Sequence, residues 1–509
     1  FWDFVSLSPE STHVLMWVMS DRAIPRSFRM MEGFGVHTYR LVNAAGETSL
    51  VKFHWKPKLG VHGLVWEEAQ LLAGNDPDFH RRDLYNAIGA GACPEWEFGV
   101  QVFPDRDDEM FEGIDLLDAT KIVPEELAPV QAIGKMTLNR APTDFFAESE
   151  QVAFHVGHVV QGIDVTNDPL MQGRLFSYLD TQLTRLGGPN FAQIPINRPT
   201  VPVNDNQRDG LMQQAVHHGR SPYLPNSVGG GCPFLAPDED GGFVHVPQMV
   251  TGPKTRERAP TDDNLQAALF FRSLTEVEQD HLVNAFRFEL GKVDVPAVVD
   301  RMLGRLANVD TDLCERVAAA LGVPAPDGTP VGEVDISPAL RMVRDEDAPA
   351  DGRVVQILVA DGGDATGVAL VREELLAAGV TPHVVAPHKG SIAGADGSEL
   401  TVDRSFLTSS SVECDAIVVG DAEALLGDPE VLRYVQEAYR HQKTVASWGT
   451  GRDLFTQAGF DLEAPGVIVS ARGATKTLAA SVVSALGRHR HWDRTPAAAV
   501  VGSADRGGQ

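Results

Sequence analysis

The stretch Asp168-Pro169-Leu170-Met171-Gln172-Gly173-Arg174-Leu175-Phe176-Ser177-Tyr178-Leu179-Asp180-Thr181-Gln182-Leu183-Thr184-Arg185-Leu186-Gly187-Gly188-Pro189 decides how this chain is read. Asp168 suits the position before a helix, because its short carboxylate can accept a free N–H of the first turn. Pro169 suits the first helical position, where its missing N–H is no loss. Gly187-Gly188-Pro189 ends the helix, since glycine takes the left-handed backbone that closes one and proline cannot continue it. A helix over 168–187 is therefore predicted. On it Arg174, Tyr178 and Arg185 stand at i, i+4 and i+11, which share one face.

That face has a definite chemistry. A phenol ligates a ferric ion as the phenolate, and a permanently charged guanidinium one turn away favours that ionised form. A second arginine along the same face offers a planar fork suited to a carboxylate. Alone, an Arg-x-x-x-Tyr pair is ordinarily only an amphipathic face, so the weight rests on its surroundings.

Those surroundings carry a resemblance. Arg174-Leu175-Phe176-Ser177-Tyr178-Leu179-Asp180-Thr181-Gln182 resembles the proximal-ligand signature of haem catalases, in which a tyrosine holds the iron. Met31-Glu32-Gly33-Phe34-Gly35-Val36-His37-Thr38, Lys52-Phe53-His54-Trp55-Lys56-Pro57, Asp76-Pro77-Asp78-Phe79-His80-Arg81-Arg82 and Gly188-Pro189-Asn190-Phe191 through Asn197-Arg198-Pro199 look like catalase blocks in the expected order. The resemblance is dense over 1–325, and the domain that follows is similar to the one that marks the large-subunit branch.

The resemblance implies a haem-dependent disproportionation of hydrogen peroxide to water and oxygen. By motif position it makes Tyr178 the iron ligand and Arg174 its hydrogen-bonding partner. It places His54 and Asp168 in a proximal relay behind Arg174, sets Arg185 against a haem propionate, and makes Val36 and Ser177 haem contacts. Gln182 stands where the small-subunit branch often has histidine, which points to the large-subunit branch. An interlocked homotetramer is implied as well.

The family also uses a distal histidine and asparagine. Neither of their blocks is found here, and the chain opens Phe1-Trp2-Asp3-Phe4-Val5 without a methionine, which reads as a cut inside a domain. The expectation is a proximal half-site without its distal acid–base residue, a group worth roughly 10²–10⁴-fold in rate. The alternative readings are a haem-binding chain without catalysis, and a hydrolase or amidotransferase activity in the C-terminal domain.

The resemblance implies an α+β catalase fold, and the pattern along the chain adds an appended α/β domain. Residues 1–140 are read as a partial antiparallel β-barrel, with a helix around Val14–Met19, a hairpin of Val36–Val42 and Ser49–Trp55, and a strand at Trp96–Phe103. Residues 141–262, poor in periodicity, are read as a wrapping segment that carries the helix 168–187. Residues 263–325 are read as helical, over Asn264–Phe271, Leu274–Leu290 and Pro296–Leu321, and 326–352 as a linker. Strand–helix alternation over 353–490 predicts a flavodoxin-like or class I amidotransferase-like domain with a parallel sheet, followed by a loose tail, 491–509. Its candidate nucleophile turn, Thr444–Gly451, has no cysteine, so the domain is read as structural.

Composition narrows the partners. With 70 acidic and 43 basic residues the net charge is −27, which argues against nucleic acid and suits a small uncharged substrate. No apolar run reaches the roughly 18 residues of a membrane span. Cys93, Cys232, Cys314 and Cys414 lie far apart, so neither a disulfide framework nor a zinc site is expected and a reducing, cytoplasmic compartment is. The pair His155 and His158 has a metal-compatible spacing but is read as lying beside the haem, and His217-His218 and His489-Arg490-His491 are read as surface residues.

Overall fold

The computed structural model describes residues 1–200, 208–217, 220–221, 223, 262–344, 347–421 and 423–494. Much of the predicted wrapping segment, together with Cys232, His218 and the tail after 494, lies outside the described residues.

Alternating β-branched and aromatic residues build an antiparallel sheet. Its order is Gln131–Thr137, Glu95–Pro104, Thr48–Pro57, Tyr39–Val42 and Ile163–Asp164, with Gly33–Phe34 also paired to Thr48–Pro57. The hairpin turns on Gly46 at φ +80, and the Asn43 side chain accepts the N–H groups of Ala45 and Glu47. On Thr48–Pro57 the side chains alternate, so Leu50, Lys52 and His54 share one face and are buried. The sheet is half a barrel, and its edge strand Gln131–Thr137 is exposed along nearly its whole length.

The helix expected around Val14–Met19 runs Thr12–Met19, preceded by Trp2–Leu7. Val5, Leu15 and Met16 of these two helices share a core with Phe270, Phe271 and Phe286 of the helical region. That region holds Leu265–Ser273, Glu276–Leu290, Pro296–Val309 and Thr311–Leu321. The single helix expected over 296–321 is therefore two. Asp310 takes an extended backbone (φ −159, ψ 133), and its carboxylate caps the next helix at Leu313 N–H. A short carboxylate that bonds nearby backbone competes with helix continuation.

The C-terminal part is a parallel sheet in the order Arg404–Ser405, Thr381–Ala386, Val354–Leu358, Ala416–Val419, Thr444–Trp448 and Val467–Ser470. Strands covered on both faces read as continuous apolar runs, as Ala416–Val419 does. Ala365–Ala377, Pro429–Arg440, Gly451–Gln457 and Lys476–Leu486 are the covering helices. The flavodoxin-like expectation is met.

The two parts dock through buried charge. Glu68, wholly buried, pairs with Lys443 at 2.6 Å and Arg490 at 2.7 Å, and Arg26 pairs with Asp415 at 2.9 Å. This junction overturns the surface reading of His489-Arg490-His491, all three of which are buried. His489 stacks on His62 at 4.4 Å, and the His491 Nε2 lies 2.9 Å from Thr444 Oγ1. Trp492–Arg494 form a short helical turn, with Arg494 bonded to the carbonyls of Tyr439 and Lys443, so the start of the expected loose tail is docked.

Candidate active site

The helix that carries the candidate tyrosine runs Pro169–Arg185. Asp168 caps it, with Oδ1 accepting the N–H of Leu170 at 2.8 Å and of Met171 at 3.0 Å. Gly187 closes it in the left-handed region, at φ +84.

One turn of this helix aligns two functional side chains. Arg174 Nη2 donates to Tyr178 Oη at 2.7 Å, and the guanidinium lies over the phenol ring at 4.8 Å. The other arm, Nη1, lies 2.8 Å from His37 Nε2. A guanidinium can only donate, so His37 Nε2 accepts and the ring proton sits on Nδ1. From there it donates to Asp168 Oδ2 at 2.5 Å. Asp168, His37, Arg174 and Tyr178 thus form one unbroken series. His37 and Asp168 are buried, whereas Arg174 and Tyr178 are half-buried. Burial alone would raise the Asp168 carboxyl, but the His37 bond and the N–H groups of Met171 and Leu170 hold it below the ordinary carboxylate range.

The histidine that meets Arg174 is His37, not His54 as expected. His54 points elsewhere: its Nε2 lies 2.9 Å from Gln101 Oε1, while Gln101 Nε2 donates to the carbonyls of Val123 and Ala128. Burial keeps His54 below the usual imidazole range and leaves its Nδ1 without a partner. Both histidines stand in matched sequence blocks, and nothing local tells them apart.

The remaining expected residues fall as follows. Arg185 does not present a free fork. Its Nη1 donates to Glu150 O at 2.7 Å, and its Nη2 to Val152 O and Gln182 Oε1 at 2.6 Å each. Gln182 is buried, and its amide reaches Phe154 O at 3.4 Å. Val36 lies beside His37 in sequence and its carbonyl accepts from Lys52; Ser177 is exposed on the helix next to Tyr178.

His155 bonds through both nitrogens. Nδ1 accepts Gly157 N–H at 3.0 Å, so Nε2 carries the proton toward Leu175 O at 2.9 Å. Neither nitrogen is left for a metal, and no cluster of three or more candidate ligand side chains occurs among the described residues. In the C-terminal domain the turn at Thr444–Gly451 has Gly449 at φ +57, where an added Cβ would fall 2.4 Å from the Asp421 carboxyl carbon. Cys414 is fully buried, and burial pushes its thiol up to about 11.

The residues at Tyr178 fit a haem iron. A phenol oxygen has two acceptor sites. Arg174 occupies one, and the tyrosine is open enough to present the other.

Comparison with known proteins agrees with this geometry. The family model Catalase matches residues 1–230, Catalase-related immune-responsive matches 257–321, and the C-terminal domain found in long catalases matches 351–496. The chain is 50% identical to Catalase HPII of Mycobacterium avium over 513 aligned residues, covering 97% of this chain and 72% of that protein. Catalase HPII of Pseudomonas aeruginosa is 48% identical, over 98% of this chain and 72% of its own length, and Catalase-2 of Bacillus subtilis is 46% identical, over 97% and 72%. The half-barrel, the tyrosine helix and the parallel-sheet domain define a haem enzyme of the peroxide-consuming class. The chain belongs to the catalase family, in its long, large-subunit branch.

Proposed function

We propose that this protein is a haem-dependent catalase in which Tyr178 would hold the haem iron, with Arg174, His37 and Asp168 orienting its phenol oxygen. The observation that carries the reading is the series of three hydrogen bonds, 2.7, 2.8 and 2.5 Å, running from the phenol oxygen to the buried carboxylate. When bound, haem supplies the redox-active iron at which hydrogen peroxide is converted to water and oxygen. The chain's own residues supply orientation and charge. Arg174 donates from one arm to Tyr178, and His37, fixed in one tautomer, bridges the Asp168 carboxylate to the other arm.

Val36, Ser177 and Gln182 are proposed to border the haem. Arg185 would meet a propionate by releasing one of its carbonyl acceptors at residues 150 and 152. We take the protein as a cytoplasmic homotetramer with the domain division given above. Phe146, Phe154 and Phe176, 62%, 76% and 76% exposed, support an assembly that covers the face around the tyrosine helix.

Tyr178→Phe tests the reading. The haem-loaded variant is expected to lose the ferric–phenolate absorption, and normal haem with normal turnover would rule Tyr178 out as ligand.

A further inference from the structure

Lys52 is an anomaly in the half-barrel. It sits mid-strand on Thr48–Pro57, opposite Gln101 of the neighbouring strand, and is 3% exposed. An ammonium withdrawn from water costs several kcal/mol unless something nearby compensates, so packing alone does not explain a lysine here. Its Nζ donates to the carbonyl of Val36 at 2.7 Å. That carbonyl belongs to the peptide joining Val36 to His37, the imidazole that links Asp168 to Arg174.

The backbone is shaped for this contact. Gly35 N–H donates to Phe53 O at 2.7 Å, and a Cβ on Gly35 would lie only 2.6 Å from the same oxygen. Glycine lets the segment before His37 run against the strand that bears Lys52. The charges that face the amine come from three elements: Asp168 at the helix cap, Asp115 of the strand Ile114–Asp115, and Asp118 just beyond it. His37 is the titratable group on the segment it bonds, and Gln101 faces it uncharged from the paired strand. Burial pushes the Lys52 amine down to about 8, against the pull of these three carboxylates.

We propose that Lys52 is a positioning residue of the proximal relay. Its ammonium pins the Val36–His37 peptide and stands as a counter-charge near Asp168, so that the imidazole stays aimed at Arg174. The inference rests on the proximal-relay reading above, and it adds a fifth residue, in the sheet, to the series that ends at Tyr178.

The test uses the haem-loaded full chain. Lys52→Met keeps the length of the side chain and removes its charge and donor. It is expected to shift the ferric absorption bands, while Lys52→Arg, which keeps both, returns them toward those of the parent. If Lys52→Met fails to fold, titration of the unaltered protein from pH 7 to about 9.5 decides, around the amine's shifted value. A reversible band shift centred near pH 8 supports the proposal, and a flat spectrum overturns it. A folded Lys52→Met with parental bands also overturns it. Tyr178→Phe separates the two readings: if it changes the bands and Lys52→Met does not, only the role of Lys52 falls.

Discussion

Asp168 and His37, 131 positions apart, are joined by a 2.5 Å hydrogen bond from Nδ1 to Oδ2, while the other oxygen of the same carboxylate caps the tyrosine helix. One side chain therefore sets both where the helix starts and which tautomer His37 adopts. The cap fixes the height of Arg174 and Tyr178, and the tautomer fixes what Arg174 meets.

Asp168→Asn should separate these two tasks. Asparagine caps a helix about as well as aspartate, so the helix should persist. Its amide would face the Nδ1 proton of His37 donor to donor, and the relay would break. A shift in the ferric haem absorption is expected, with a stability loss of about 1.5–3 kcal/mol for the charge-assisted bond. Denaturant unfolding read beside the absorption spectrum checks both.

The two candidate histidines should behave differently. His37→Gln removes the bridge between Asp168 and Arg174 and should alter the haem spectrum. His54→Gln loses only the bond to Gln101, so the spectrum should be unchanged, with a stability loss of about 1 kcal/mol. A spectrum that responds to His54→Gln and ignores His37→Gln would reverse the assignment.

Docking of the C-terminal domain should depend on Glu68. Glu68→Gln leaves Lys443 and Arg490 buried without their counter-charge. A loss of about 3–5 kcal/mol is expected. In calorimetry the parallel-sheet domain should unfold earlier and separately.

Acid should weaken the folded protein well before these ion pairs fail. Burial pushes His13, His441 and His491 down to about 4 from an ordinary 6.5. The unfolded chain therefore takes up protons first, and stability falls as pH drops from 6.5 toward 4, then levels off. Glu68 would be raised by burial, but Arg490 and Lys443 hold it at about 2, so its contribution is lost only between its ordinary 4.5 and that value. Melting temperatures measured from pH 7 to 3 should show the histidine loss first.

Gly449 is expected to be irreplaceable at its turn. Gly449→Ala meets both a positive φ and the Asp421 side chain, and should destabilise by about 1–3 kcal/mol in chemical denaturation.

The sequence by itself determined the local features. The cap at Asp168, the Gly187 stop and the Arg174–Tyr178 pairing are consequences of helix geometry over a single segment, and 3.6 residues per turn leaves little freedom. The parallel strands were legible for the same reason, as short apolar runs buried on both faces. Only the tertiary structure decided which histidine reaches Arg174, because that depends on strand pairing and on how closely Gly35 lets the His37 segment approach. It likewise buried His489 against His62 of the other part and His491 against Thr444 of its own, and brought Lys52 beneath Val36. Such contacts join residues 16 to 426 positions apart, and no local periodicity records them.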